Sequence, residues 1–552
     1  MKDSLPGDAP SIPPPIPTHP DNDINVSSDP STGTACTTAA PIAIRPQLLL
    51  LGALLCGFVC ELFMHGQPPG LGYAAASFTA VAIWLAMGRA QGIRPSPAGL
   101  GMLAMIMFCG LMVGLRASPC LLGLNILASL GLLLLMAAAY IPGRLKHYSL
   151  TDYALCVCFS GLAVVVQPFI LLCGDLPKVA PEPGMRHGLA SVLRGILLAI
   201  PILLVFGMLF FSADAVFAAF IRRLFDWIDL ASLIGRLVLS LVLSWLVMGL
   251  ARYAFTRTDR EDNAATLEQY ISLPFLRAGG STAITVLALV NALFLAFVAV
   301  QAVYLFGGID TLVRTGLSYS EYARSGFFEL VTVAALVLSL ILLSDWLVRG
   351  VTGITRRVID LLHGLLVLLT LVILVSALLR MQLYTQEYGL TELRFYTTAF
   401  MAWLASALVW LTLTVMVRWP GKGGETGMPE RRRFAFGAWI TGLAFIVALN
   451  LLNPDAFITR TNLRRAATGV GQRLDAHYLA QSLSADAVPA LLAGQAMLSN
   501  PKDRAALADG LRQKRAGLAM SDVSLDWRGR NLSTINALEL MVASDTHQLT
   551  AP

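Results

Sequence analysis

The sequence predicts an all-α protein, built as a polytopic helical membrane bundle. About a dozen long apolar runs are separated by short segments that hold most of the charge. Three of these runs, at 120–141, 281–306 and 361–379, are each long enough to cross a hydrocarbon core of about 30 Å as a helix. Lipid offers no water to the backbone, so such runs must close their hydrogen bonds internally as helices.

Composition supports the same fold class, since 56% of the residues are apolar, 13% are charged and the mean hydropathy is +0.68. A soluble protein would carry about twice that share of charged residues. The net charge of +6 does not indicate a nucleic-acid partner, because Lys and Arg stand beside the apolar runs, as membrane topology requires. We therefore expect the lipid bilayer as a partner and no nucleic acid.

The eight cysteines all lie in the first third of the chain, most of them within apolar runs. There they are expected to pack as small apolar groups. Cys56 and Cys60 share a helix face, but no His or further Cys is placed to complete a metal site. The sequence therefore predicts no metal site, no disulfide framework and no cofactor.

Three regions follow one another along the chain. Residues 1–46 are rich in Pro, Ser, Thr and Asp, which predicts a disordered tail. Residues 47–452 form the predicted transmembrane domain, with about twelve spans near 48–64, 71–88, 99–115, 119–141, 152–173, 194–212, 230–254, 281–306, 327–347, 358–380, 395–417 and 434–452. Residues 453–552 are charged and carry apolar residues at helical spacing, which predicts a small soluble helical region. Ser484 and Asn500 mark helix starts within it.

The basic residues give two opposite predictions for the orientation of the bundle. Arg89 with Arg94, and Arg144 with Lys146, favour a cytoplasmic N-terminus, whereas with twelve strict spans the Arg-rich segments of the second half fall on the other side. One miscounted element between residues 150 and 250 would reconcile the two halves. The best candidate is the basic amphipathic segment 212–230, which could lie in the interface or cross.

Several polar residues on or beside spans 8–10 are candidates for a functional cluster. Asp360 and His363 share a helix face, and either a proton relay or an interfacial His capped by Asp would use that spacing. Ser318 and Glu321 have capping-box spacing and mark a helix start, after which Arg324 can pair with Glu321. Glu329 lies about one turn further along that helix, where a carboxylate needs a partner. The complete cluster is Gln301, Tyr304, Glu321, Arg324, Glu329, Asp360 and His363.

Sequence motifs at 212–217 ("SADAVF"), 289–308, 317–331 ("LSYSEYARSGFFELV"), 453–465 ("NPDAFITRTNLRR"), 474–492 and 526–533 occur in the order typical of one bacterial membrane family. On these motifs, from about residue 190 onward, the chain resembles the multi-pass family catalogued as domain of unknown function 4173. The resemblance implies no activity. It adds a motif at the start of the C-terminal region, with Asn453, Asp455, Asn462 and Asp475 as candidate site residues.

Three functions of different classes stay open on the sequence. The first is a transporter-like protein with a polar cavity on spans 8–10, in which Glu329 and Gln301 converge. The second is a non-transporting membrane scaffold or sensor that binds other proteins through its C-terminal helical region and its acidic N-terminal arm. The third is a membrane-embedded enzyme that acts on a lipid-linked substrate. For each of them the expected location is the bacterial inner membrane.

Overall fold

The computed structural model describes residues 45–141, 150–178, 186–214, 216, 230–256, 279–306, 327–348, 351, 353–415, 430–469 and 474–550. Regular secondary structure within these ranges is helical, without a strand, so the all-α prediction is confirmed. The predicted disordered tail up to residue 44, most of the 212–230 segment and the Ser318–Glu321 capping box lie outside the described residues.

A helix occupies each of the positions predicted for a span. These helices are α1 (Pro46–Met64), α2 (Leu71–Ala90), α3 (Pro97–Leu115), α4 (Pro119–Ala139), α5 (Leu150–Ile170), α6 (Arg186–Ala213), α7 (Leu230–Phe255), α8 (Gly280–Phe306), α9 (Phe327–Leu347), α10 (Gly353–Tyr388), α11 (Glu392–Val415) and α12 (Glu430–Leu452). Across the described chain, 10 helices are long and apolar enough to cross a membrane. Helices α6 and α9 contain the shorter apolar stretches Pro201–Phe210 and Glu329–Ser344. The protein is a multi-pass membrane protein.

Four further helices follow, and we call them the C-terminal helices. They are α13 (Pro454–Thr468), α14 (Val488–Gln495), α15 (Pro501–Val523) and α16 (Leu532–Thr550). Both predicted helix starts are confirmed, since Ser484 accepts a hydrogen bond from the Asp486 amide and Asn500 accepts one from the Lys502 amide. Asn453 links α12 to α13 in a left-handed conformation (φ 52°), which Asn tolerates better than most residues.

Two apolar cores fill the transmembrane bundle. The first joins α1 to α5 and α7, and its centre holds the rings of Trp84, Tyr140 and Phe255, whose centroids lie 5.2–6.0 Å apart. Small residues allow close approach of its helices, because a Cβ on Gly57 of α1 would overlap the backbone of Ser244 on α7. The second core joins α8 to α12. A third core lies within the C-terminal helices and extends to Leu121 of α4.

The C-terminal helices lie on one end of the bundle, which we call the covered face. Hydrogen bonds hold them there at the start of α2 (Leu71 amide to Arg530 carbonyl, 2.8 Å), between α3 and α4 (Ala117 amide to Asp486, 2.9 Å) and between α10 and α11 (Leu390 amide to Asn462, 2.7 Å). At the opposite face, α3 begins beside the end of α4, where the Ser96 amide donates to the Tyr140 carbonyl.

Candidate functional site

A furrow of about 1280 Å³ follows α11, with α10 and α12 as its walls and α13 across its end at the covered face. We call it the α11 furrow. Most of its wall is apolar, and several wall residues, among them Ala402, Ala448 and Leu452, are exposed. On α11 the lining runs from Phe395 to Ser406, which is about 16 Å at the rise of a helix. The described lining contains no Asp, Glu, His, Lys or Cys.

The end of the furrow at the covered face is polar. Arg465 of α13 lines it together with Gln382, Gln386, Thr461 and Thr468. The Arg465 guanidinium donates a hydrogen bond to the carbonyl of Glu387, at 3.0 Å, where α10 ends. Burial lowers the pKa of this guanidinium, and the charge of Glu387 opposes that change. The furrow is therefore apolar along its length and carries a cation at one end.

Buried hydrogen bonds fix α13 over the furrow. The side chain of Asn462 bonds the Leu390 backbone in both directions, at 2.7 Å for each bond. Asp455 is fully buried and accepts hydrogen bonds from the amide (3.0 Å) and the hydroxyl of Ser484. Burial raises the pKa of the Asp455 carboxyl, while the bonds from Ser484 oppose the rise. The rim of the furrow is therefore part of a fixed joint between α13 and the transmembrane bundle.

A second buried joint connects the C-terminal helices to the α3–α4 connection. Asp486 accepts hydrogen bonds from the backbone amides of Ala117 and Ser118, at 2.9 and 3.0 Å. Next to it, the amides of Asn125 on α4 and Asn450 on α12 bond each other reciprocally at 2.9 Å. Reciprocal pairing satisfies both buried side chains and ties the two halves of the bundle together.

A comparison with known protein families matches residues 102–494 to a domain of unknown function, DUF4153. The chain belongs to the DUF4153 family. The matched range contains the whole α11 furrow and both joints described above. The resemblance noted in the sequence is thus correct as to the kind of family, whereas its assignment to domain of unknown function 4173 is not supported. Comparisons with curated proteins and with solved structures found no match.

Within this DUF4153 chain, the predicted cluster on spans 8–10 is spread over several places. Gln301 of α8 accepts hydrogen bonds from Ser376 (3.0 Å) and from the buried Arg380 (2.6 Å), both on α10. Glu329 lies exposed in the first turn of α9, and no described contact joins it to Gln301. Tyr304 lies on α8, but its side chain is outside the described part of the chain, as are Glu321 and Arg324.

The other predicted pair, Asp360 and His363, lies near the start of α10. Asp360 forms an ion pair with Arg356 one turn earlier, at 2.9 Å. His363 is fully buried and its Nε2 lies 2.7 Å from the hydroxyl of Ser344 on α9. The ion pair lies within α10, whereas the Ser344–His363 contact joins α9 to α10. The proton relay and the interfacial His capped by Asp both stay predictions.

The predicted motif of the C-terminal region is brought together only in part. Asp455 and Asn462 both stand at the joint beside the furrow. Asn453 instead caps α13 through the Ala456 amide, and the exposed Asp475 caps the turn at Tyr478. Among the described residues, no group of three or more His, Cys, Asp or Glu side chains could hold a metal ion.

Sequence reasoning missed the partners that lie far away along the chain. Arg465 belongs to the motif 453–465, but the sequence assigns it no role. Its position in the furrow depends on how α13 packs against α10. Arg252 of α7 bonds Asp175 (2.8 Å) and Gln167, and Arg236 bonds the buried Glu61 (2.9 Å). Unpaired charges in apolar helices gave a signal that these residues need partners. Helical periodicity alone does not say which helix supplies them.

Proposed function

We propose that this protein, located in the bacterial inner membrane, binds an anionic lipid in the α11 furrow. The single observation that carries the proposal is the chemical asymmetry of the furrow. Its length is apolar and its rim holds the Arg465 guanidinium among amide and hydroxyl groups. An amphiphile with an acyl or prenyl chain and a phosphate head group has the same asymmetry, and Arg binds phosphate groups well.

The length of the furrow supports a lipid rather than a soluble ligand. About 16 Å of α11 lines it, which is close to half of a hydrocarbon core of about 30 Å. A chain of one leaflet could therefore lie along α11 with its head group at the level of the rim. The volume of about 1280 Å³ exceeds the roughly 300–1,000 Å³ that is usual for pockets of small molecules.

This proposal favours lipid binding over the other functions considered for the chain. A transporter with a polar cavity on spans 8–10 is less well supported, because the furrow lies on α10 to α12 and is largely apolar. Catalysis on a lipid-linked substrate would require an acid, base or nucleophile at the head group. The described lining offers only hydroxyls, amides and one Arg. A protein partner for the C-terminal helices is compatible with a lipid in the furrow.

The test is lipid retention by the purified chain, measured by native mass spectrometry after exchange into detergent with added phosphatidylglycerol. The variant Ala402→Trp/Ala448→Trp fills the furrow with two indole rings and should lose the bound lipid. Ala292→Trp, at an exposed position of α8 outside the furrow lining, is the matched control and should retain it. Equal retention by the filled variant and the wild type would contradict the proposal.

The role of the rim has its own pair of variants. Arg465→Gln should weaken binding of phosphatidylglycerol by about tenfold or more, because a hydrogen bond to a charged group is worth roughly 1.5–3 kcal/mol. Arg460→Gln changes an exposed Arg of the same helix, outside the furrow lining, and should leave binding unchanged. If Arg465→Gln binds phosphatidylcholine and phosphatidylglycerol as the wild type does, the head-group assignment is wrong.

A further inference from the structure

The helix directions require an odd number of membrane crossings. Helix α1 begins at the opposite face, where the Arg45 amide donates to Gln91 at the end of α2. It ends at the covered face, near the contact of Phe63 with Trp527 of the C-terminal region. Helix α12 also ends at the covered face, because α13 follows it directly. The start of α1 and the C-terminal helices therefore lie on different sides of the membrane.

The chain passes from the opposite face to the covered face between the end of α4 and the start of α7. Helix α4 ends at the opposite face, where Tyr140 packs against Phe255 at the end of α7. Helix α7 begins at the covered face, because Arg236 in its second turn binds Glu61 near the end of α1. The chain between residues 140 and 230 thus makes an odd number of crossings. The same part of the chain contains the miscounted span that would reconcile the orientations predicted from the basic residues of the two halves.

Basic residues separate by face once the helix directions are known. Short connections at the covered face contain few of them: 65–70 and 389–391 have no Lys or Arg, and 116–118 has only Arg116. The start of α8 packs at the start of α10, because Gly280 lies against Thr355, so the adjoining ends of α8 and α9 also lie at the covered face. The sequence between them has Arg314 and Arg324, and the segment that leads into α7 has Arg222 and Arg223.

The connections at the opposite face are basic. Arg89 and Arg94 stand between α2 and α3, and Arg144 and Lys146 follow α4. Between α7 and α8 the sequence adds Arg257, Arg260 and Arg277 together with four acidic residues, and α12 begins with Arg431 to Arg433. Acidic residues contribute little to orientation, so the Lys and Arg are the residues counted. Short connections rich in Lys and Arg stay in the cytoplasm. Arg460, Arg464 and Arg465 of the covered face belong to a packed helix of the C-terminal region rather than to a short connection.

We infer that the opposite face is cytoplasmic, that the C-terminal helices lie outside the cytoplasm, and that the α11 furrow takes its lipid from the outer leaflet. The last part rests on the proposed function, whereas the first two rest on helix directions and charge alone. Because the polar rim of the furrow is at the covered face, its apolar length lies at the depth of that leaflet. The lipid head group would then be accessible from outside the cell membrane.

The orientation is tested in intact cells with a membrane-impermeant maleimide and the full chain. Met520→Cys lies on the exposed surface of α15 and Ile354→Cys lies exposed at the start of α10, on the other face. Labelling above the wild-type background is expected for Met520→Cys and only after lysis for Ile354→Cys. The reverse pattern, or labelling of both positions in intact cells, would overturn the inferred topology.

The leaflet is tested with phosphatidylglycerol that carries a diazirine on its acyl chain, added to right-side-out and to inside-out membrane vesicles and photolysed at once. Crosslinking to the wild-type chain is expected in right-side-out vesicles, with Ala402→Trp/Ala448→Trp as background. Crosslinking only in inside-out vesicles would overturn the leaflet assignment and leave the proposed function in place. No crosslinking above background in either preparation would refute the proposed function, while the maleimide result would still decide the topology.

Discussion

The two halves of the transmembrane bundle are built from equally apolar helices but differ in how completely those helices close against one another. Over the most apolar window of each described span, the two least buried helices, α8 and α12 at 17%, lie in the second half, although α10 reaches 44%. In the first half the buried share runs from 22% for α7 to 50% for α3. Gly57 and the aromatic rings around Tyr140 close the first half. The second half keeps the α11 furrow open. The comparison teaches that packing, rather than hydropathy, distinguishes the second half, for which we propose lipid binding, from the first.

The largest loss of stability is expected from enlarging Gly57, where α1 and α7 of the first half pack closely. Gly57→Leu places a branched side chain against the α7 backbone at Ser244, which cannot move aside as a flexible side chain could. Overpacking of this kind costs about 1–3 kcal/mol or more, so the variant should lose most of its folded population in fluorescence-detected size-exclusion chromatography after heating. Gly101→Leu, where nothing lies near the glycine, is the control. Equal stability of the two variants would mean that α1 and α7 do not pack as described.

The next largest loss of stability is expected from breaking the Asn125–Asn450 pair, which joins the two halves. Asn125→Ala leaves the amide of Asn450 without its reciprocal partner and should lower the unfolding free energy by about 1–2 kcal/mol. Asn125→Ala/Asn450→Ala should cost less than the sum of the two single changes, because the pair is one interaction. Additive losses in thermal unfolding would show that the two amides do not interact.

A smaller effect is expected in the second half, although the introduced side chains are large. Ala402→Trp/Ala448→Trp adds two indoles to an open furrow, so the free energy of unfolding should change by no more than about 0.5 kcal/mol. Unfolding is to be measured in lipid-free detergent, where loss of a bound lipid does not contribute. A loss as large as that of Gly57→Leu would show that the second half is as closely packed as the first.

The smallest effect is a pH dependence at the rim. Because the pKa of Asp455 is raised in the folded protein, the folded state binds more protons than the unfolded state between the ordinary Asp value of about 3.9 and the raised value. Its contribution to stability is therefore present below that window and is lost as the pH rises through it. Asp455→Asn should flatten this slope in pH-dependent melting, whereas the control Asp475→Asn, at an exposed position, should not. An unchanged slope for Asp455→Asn would assign the dependence to another group.

The sequence predicts the helices well and their partners poorly, for physical reasons visible at single residues. Length and hydropathy are local properties, so the position of every long helix from α1 to α12 followed from the chain. Asn500 and Ser484 were equally predictable, because a cap acts within three residues. Arg465 and Arg252 were not, because their positions depend on which helix faces lie together. The orientation conflict between the halves agrees with the odd number of crossings that we infer, and helix directions were needed to interpret it.

The most direct test of the lipid-binding furrow is a cryo-electron microscopy map of the wild-type protein in nanodiscs that contain phosphatidylglycerol. The proposal predicts elongated density along α11 from Ser406 towards Phe395, ending in a head group beside Arg465. It also predicts that this density is missing in Ala402→Trp/Ala448→Trp. A map in which α10 and α12 close directly over α11, without space for a chain, would contradict it.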